Sequence, residues 1–392
     1  MSDTLPTSLP GVATADAGDA ALAALSRAAG GARVALGHDW LTGMRGGERV
    51  LEWHCRAFPD APIATLVNVP GAVSGTIASH PIRASWFNRL PGVRGHYRSY
   101  LPIMPLAART LRVPDCELLL TSSHCVAKSF RKPRGARHVC YCFSPMRYAW
   151  LFREEYFPNP VKRALAAPLL AWLRAWDRRT AAGVDRFVAI SGAVADRIRR
   201  FYGRESDVVY PPVDVSRCTP APDGSGRDGG FDLIVSALVP YKRIDLAVRA
   251  YARRGWRLKV VGVGGQLDAL RALAGPTVEV IGWLPDADVL ELYRHARLLL
   301  FPGEEDFGIV PLEAQACGLP VVAYARGGAL ETVRDGVSGV FFREQTEEAL
   351  AEAVEDAARR RWDTAAVRAN ALAFGPGCFL SGLAASVGAA RL

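Results

Sequence analysis

Short, largely apolar runs alternate with helical patterns along most of this 392-residue chain. In the first half the runs fall at 34–37, 63–66, 118–122, 138–143, 187–190 and 208–210. In the second half they fall at 233–237, 258–262, 278–282, 298–301, 321–324 and 340–342. Between them, apolar positions recur at helical spacing, as over 48–58, 161–179, 244–253, 289–296 and 347–359. A strand that is apolar on both faces has no side to show to water, so these runs predict parallel strands covered by helices above and below. Pro211-Pro212-Val213-Asp214 and a Pro/Gly/Asp/Ser-rich stretch through Gly230 separate the two series, which is a linker signal. The pattern predicts an α/β chain with two Rossmann-like, doubly wound domains, 31–214 and 231–370, joined by a linker at 215–230 and facing one cleft. Residues 1–30 read as a loose leader, and 371–392 as a C-terminal helix returning to the first domain. In open parallel sheets, ligands sit beyond the carboxyl ends of the strands.

Charge adds a direction to this picture. Residues 1–214 hold 28 Lys and Arg against 17 Asp and Glu, whereas 215–392 hold 20 against 22, out of a net +9. Between Asp60 and Asp115 there is no carboxylate, yet Arg83, Arg89, Arg94, Arg98, Arg109 and Arg112 fall there. A one-sided basic surface either solubilises or meets an anionic partner: acidic lipid, a phosphorylated substrate or nucleic acid. No helix-turn-helix, zinc-finger or RNA-recognition signature supports nucleic acid. The eight Cys have no metal-ligand or disulfide rhythm. Cys140 and Cys142 share a strand face but lack a second pair to complete a site. Reduced thiols, no apolar run of about 18–20 residues and no basic signal-peptide start give the expectation of a cytoplasmic protein.

The strongest local signal is residues 302–320, PGEEDFGIVPLEAQACGLP, which follow an apolar strand and open a helix. Glu305 falls in the loop and Glu313 in the opening turns of the helix, so both can face a ligand across its start. The amides near Gly308, Ile309 and Val310 lack partners within the helix and suit a pyrophosphate. Carboxylates only accept hydrogen bonds, which suits the paired donors of a sugar or ribose diol. Lys242-Arg243 follow the first strand of the second domain, where cations would neutralise a leaving diphosphate. Gly46-Gly47 precede the helix 48–58 and let backbone approach a phosphate. Asp286-Ala287-Asp288 read as helix-start residues rather than metal ligands.

In order along the chain stand HDWLTGMRGGE (38–48), SSHCVAK (122–128), SPMRYAW (144–150), YPPVD (210–214), LVPYKRID (238–245) and the 305–320 block. With these the chain, over residues 33 to 375, resembles the retaining family 4 glycosyltransferases of GT-B fold. It looks closest to bacterial mannosyltransferase-like members that assemble surface polysaccharide on lipid carriers. The resemblance implies a nucleotide-sugar donor, GDP-mannose, a lipid-linked or glycan acceptor, and no metal or other cofactor. It implies catalytic roles for Glu305, Lys242 and Glu313. It implies donor contacts from Gly46, Gly47, Arg243, Gly264, Phe307, Gly308, Ile309 and Val310, and acceptor-side positions for His124, Arg147 and Tyr148. Relatives carry His where Phe143 stands and Arg near Ala237, so one sugar contact and one phosphate-facing cation depart from the pattern. A non-catalytic sugar-nucleotide binder, a nucleotide-sugar epimerase and a phosphorylase remain as alternatives. A dehydrogenase fits least, because no Gly-x-Gly-x-x-Gly follows the first strand.

Two segments combine aromatic and basic residues: 86–105, WFNRLPGVRGHYRSYLPIMP, and 161–179, VKRALAAPLLAWLRAWDRR. Both have the composition of interfacial anchors on anionic lipid, the second equally that of a core helix. Peripheral contact with the inner face of the plasma membrane is therefore an expectation.

Overall fold

The computed structural model describes residues 15–151, 159–222 and 229–390. Residues 1–14 of the expected leader and 223–228 of the expected linker lie outside them. The chain divides into two compact units, Thr14–Pro211 with Gly377–Leu392, and Pro212–Pro376.

The N-terminal unit holds seven parallel strands: β1 (Val34–Leu41), β2 (Ile63–Asn68), β3 (Ile82–Ala84), β4 (Leu118–Ser123), β5 (Arg137–Cys142), β6 (Arg186–Ala189) and β7 (Ser206–Val208). Their order is β3-β2-β1-β4-β5-β6-β7, and every pairing is parallel. The C-terminal unit repeats the plan with β8 (Asp232–Val235), β9 (Leu258–Val261), β10 (Val278–Gly282), β11 (Leu299–Phe301), β12 (Val321–Tyr324) and β13 (Gly339–Phe342), in the order β10-β9-β8-β11-β12-β13. Both are Rossmann-like sheets, and together they make the α/β GT-B fold. In each, the strand order reverses once, between β1 and β4 and between β8 and β11. The crevice beyond the carboxyl ends at that reversal is where such sheets bind ligands.

The central strands are buried on both faces: β11 is wholly apolar, and β4 is buried throughout, its hydroxyls Thr121 and Ser122 paired with the His138 and His38 rings. Helix Ile244–Arg254 buries Ile244, Ala247, Val248 and Tyr251, at i, i+3, i+4 and i+7, the stripe of a helix lying on a sheet. Thr364–Ala389 is apolar and long enough by composition to cross a membrane. It divides into helices Thr364–Leu372 and Pro376–Ala389, one in each unit. The second buries Phe379, which stacks 6.0 Å from His54 and meets Tyr141 edge-on at 5.5 Å.

Three expectations need correction. Residues 15–29 are not loose but form helix Ala15–Ala29. Ala21, Leu25 and Ala29 recur every four residues and are buried, on a helix packed against helix Gly46–Ala57. Gly46 and Gly47 lie inside the first turn of that second helix rather than before it, because Glu48 Oε2 accepts the Arg45 amide at 3.1 Å and starts the helix there. Strand β3 was not expected. It is three residues long and half exposed, too short for a two-residue alternation to register.

Burial lowers the imidazole of His38 to about 4 and those of His54 and His138 to about 3. All three are neutral in the folded protein at pH 5, while in the unfolded chain they gain protons below about pH 6.5. Stability is therefore complete above pH 6.5 and is lost as pH falls toward 4. At pH 5 each histidine costs roughly 2 kcal/mol. Urea unfolding at pH 7 and pH 5 should show this loss, and His54→Leu should remove about a third of it; an unchanged midpoint at pH 5 would contradict it.

Candidate functional site

In the C-terminal unit the reversal lies between β8 and β11, and the loops that leave these strands bring Lys242 and Glu305 together. Lys242 ends the turn Pro240–Lys242 after β8, and its Nζ pairs directly with Glu305 Oε1. The side chains are 12% and 22% exposed, so the pair is sheltered but reachable. Backbone holds each partner in place. The Glu305 carbonyl accepts the Gly328 amide at 2.8 Å. A Cβ on Gly303 would lie 2.7 Å from Lys242 Cα and 2.8 Å from its carbonyl, so the two loops touch main chain to main chain. Gly303→Ala should force them apart and uncouple Lys242 from Glu305, costing about 1–3 kcal/mol of stability together with any activity of the pair. Thermal melting alongside an activity assay checks this.

Helix Ile309–Ala316 opens at Gly308, whose φ of 99° is left-handed, and no side chain caps it. The amides of Ile309 and Val310 thus stand at an uncapped helix start, an arrangement that attracts anions. Glu313, one turn further on, accepts the hydroxyl of buried Tyr293 at 3.3 Å. Arg217 Nη2 lies 3.6 Å from its other oxygen.

Other expected donor contacts have different surroundings. Phe307 is buried, with its ring 5.9 Å from Phe374, so its side chain belongs to the core. A Cβ on Gly264 would lie 2.2 Å from the Leu238 carbonyl; packing of the β8 and β9 loops accounts for that glycine. Arg243 takes a left-handed φ of 51° and turns its side chain to Gln345 at 3.3 Å and Asp245 at 3.5 Å. Gln345 in turn donates to the Pro302 carbonyl, so Arg243 braces the Glu305 loop from outside. Asp286 opens helix Asp286–His295 and pairs with Arg217 at 2.8 Å. Among the described residues no cluster of three metal-ligating side chains occurs. Arg217 and Tyr293 were not foreseen: one lies in the expected linker, the other reads as an ordinary core aromatic.

In the N-terminal unit the reversal lies between β1 and β4, and the side chain there is Asp39, fully buried. Its two oxygens accept the amides of His124 (2.7 Å), Cys125 (3.1 Å), Val126 (2.6 Å) and Ala127 (2.7 Å). His124 Nδ1 also lies 3.1 Å from it, and the ring meets Trp40 edge-on at 4.6 Å. Burial lowers the His124 pKa, Asp39 opposes this, and Arg147, Arg98 and Arg45 reinforce it. Three cations therefore act on one imidazole. Arg45 Nη1 and the Arg98 guanidinium both flank Tyr97, the first 3.5 Å from its hydroxyl, the second 5.2 Å from its ring centre.

Arg147 and Tyr148 lie on the short helix Arg147–Trp150. Trp150 Nε1 anchors that turn by donating to Asp177 at 2.8 Å. Asp177 also pairs with buried Lys128 at 2.5 Å and accepts the Tyr202 hydroxyl at 2.7 Å. A Cβ on Gly47 would lie 3.4 Å from both the His38 and Phe143 rings, and the Phe143 and His124 rings are 6.2 Å apart. Phe143 thus puts an apolar ring beside the Gly46-Gly47 turn and His124.

Residues 44–217 match the family described as Glycosyltransferase Family 4, and residues 225–372 match Glycosyl transferases group 1. The chain is 36% identical over 230 residues to a D-inositol 3-phosphate glycosyltransferase of Geodermatophilus obscurus, covering 50% of this chain and 51% of that protein. A protein of the same name from Acidothermus cellulolyticus is 35% identical over 190 residues, covering 41% and 42%. The chain thus spans about half the length, or less, of these curated relatives. Among solved structures it is similar in fold to Anabaena Alr3699/HepE in complex with UDP-glucose, with a TM-score of 0.63 at 18% identity over 91% of this chain and 99% of that one.

Proposed function

The chain carries the Family 4 and group 1 domains of GT-B glycosyltransferases, and from that premise we propose that it is a retaining, metal-independent hexosyltransferase. On this reading it moves mannose from GDP-mannose to a lipid-linked or glycan acceptor. The observation that carries the proposal is the Lys242–Glu305 pair beside an uncapped helix start, at the reversal of the second sheet. Lys242 and the amides of Gly308, Ile309 and Val310 hold the diphosphate, filling the role a metal would take. Glu313 holds the ribose, and Glu305 orients the hydroxyls of the sugar. The leaving phosphate takes the acceptor's proton on the same face, so catalysis rests on positioning and charge stabilisation.

The N-terminal unit receives the acceptor around His124, Arg147 and Tyr148. The arginines that act on His124 favour an acceptor bearing a phosphate, as in the name of the curated relatives. Helix Pro160–Ala181 buries Leu170 and Leu173 but exposes Val161, Leu165, Leu169 and Trp172. This apolar stripe, with Arg163 and Arg179 on the same helix, supports peripheral contact with an anionic membrane.

Thermal shift against GDP-, UDP- and ADP-sugars tests the donor. A ligand that binds only the folded state raises the melting temperature, and GDP-mannose should raise it most. Release of GDP only when an acceptor such as inositol 3-phosphate or a lipid-linked sugar is added separates a transferase from a silent binder or an epimerase. No shift with any nucleotide sugar would refute the reading.

A further inference from the structure

We infer that Arg217 is the positioning residue for Glu313, holding its carboxylate turned toward the ribose diol; this rests on the donor-site reading above. Residues 213–219 form a strap outside the sheet, tied down without help from the Arg217 side chain. The Val213 amide donates to the Phe374 carbonyl at 3.0 Å. Arg368 donates to the carbonyls of Cys218 at 2.8 Å and Val215 at 3.2 Å. Arg294 donates to the Thr219 carbonyl at 3.0 Å and its hydroxyl at 2.9 Å. With the backbone so clamped, the guanidinium of Arg217 is not needed to hold the strap. It reaches across to Asp286 with Nη1, at 2.8 Å, and to Glu313 with Nη2, at 3.6 Å, while Asp214 Oδ2 lies 4.0 Å from Nε.

The geometry divides the fork of the guanidinium. Asp286, 64% exposed, anchors one arm, which turns the other toward Glu313, only 17% exposed. A buried tyrosine hydroxyl sits on one oxygen of this sheltered carboxylate, and the guanidinium beside the other fixes the direction in which the group points. Only the ionised group offers both oxygens as acceptors to a diol. Arg suits the task because its planar fork serves two carboxylates at once and does not lose its proton.

Arg217→Ala and Arg217→Lys test this in the full-length protein. A ribose contact is the same in ground and transition states, so the loss should fall on KM and leave kcat nearly unchanged. Arg217→Ala should weaken GDP binding and raise the donor KM roughly 10- to 100-fold, as for loss of a charge-assisted contact. Arg217→Lys should restore part of both. An unchanged KM would overturn the inference, as would Lys and Ala variants equally impaired with equally lowered melting temperatures. Should Arg217→Ala fail to fold, Asp286→Asn, which loosens the anchored arm but keeps the cation, should raise KM in the same direction by a smaller factor; an unaltered KM there also overturns it. A wild-type protein that binds none of GDP, UDP and ADP refutes the donor site itself, whereas wild-type and Arg217→Ala proteins that bind GDP equally well refute only the role of Arg217.

Discussion

Glu305→Ala should give a folded protein whose sugar transfer is about 100- to 1,000-fold slower than the parent's, the loss typical of removing one preorganised polar group from a reaction centre. The fold should survive because the loop is held by its backbone. The Glu305 carbonyl still accepts the Gly328 amide, and Gly303 still rests on the Lys242 main chain. What disappears is the acceptor for the hydroxyls of the sugar and the partner that aims Lys242. Lys242→Ala should lose activity over the same range by the complementary route, leaving charge on the departing diphosphate uncompensated. Because the two side chains form one unit, the double variant should be little worse than either single one. Acceptor-dependent release of nucleoside diphosphate, read beside the melting temperature, checks all three proteins. Full activity in Glu305→Ala would discard its role, and additive losses in the double variant would mean that the ion pair is incidental.

The parts of this architecture that sequence reveals are those in which a residue's own chemistry leaves few alternatives. Strands β11 and β12 are apolar on both faces and were legible as buried parallel strands. Lys242 and Glu305 were legible because each lies in the loop between a strand and a helix, so the sheet itself delivers them to one place. Arg217 was not, because its partner Glu313 lies 96 positions away and an arginine in a polar linker reads as a surface charge. Tyr293 was hidden for the opposite reason, being an aromatic on a helix whose hydroxyl alone reveals its use. The spacing of a motif cannot tell a glycine that admits a ligand from one that admits backbone, and Gly264 is of the second kind. Phe307 shows the same limit: it belongs to the most recognisable block in the chain, yet its ring packs in the core. Helix Ala15–Ala29 escaped because alanines carry the stripe, and alanine looks the same in a leader as in a packed helix.

Asp39→Asn, though it changes no volume, should be among the most damaging single substitutions in the N-terminal unit. Four backbone amides point at the carboxylate of Asp39, with His124 Nδ1 beside them. An ionised carboxylate has acceptor capacity on both oxygens for all of them. Asparagine keeps one oxygen and turns an NH2 toward the rest, so at least two buried amides would face a donor instead of an acceptor. Losing a buried charge from a network that depends on it costs about 3–5 kcal/mol, enough to consume much of a typical domain's margin. The damage should be local first, since these bonds define the turn after β4 that carries His124 beside Trp40. Urea unfolding should report the full cost, and amide exchange of His124, Cys125, Val126 and Ala127 should accelerate before that of β1 and β4. His124→Ala should lose less than half as much stability, because the main-chain bonds to Asp39 remain. If Asp39→Asn unfolds within 1 kcal/mol of the parent, a margin smaller than one ordinary charged hydrogen bond, then the turn is held by its own packing and Asp39 does not organise the acceptor side.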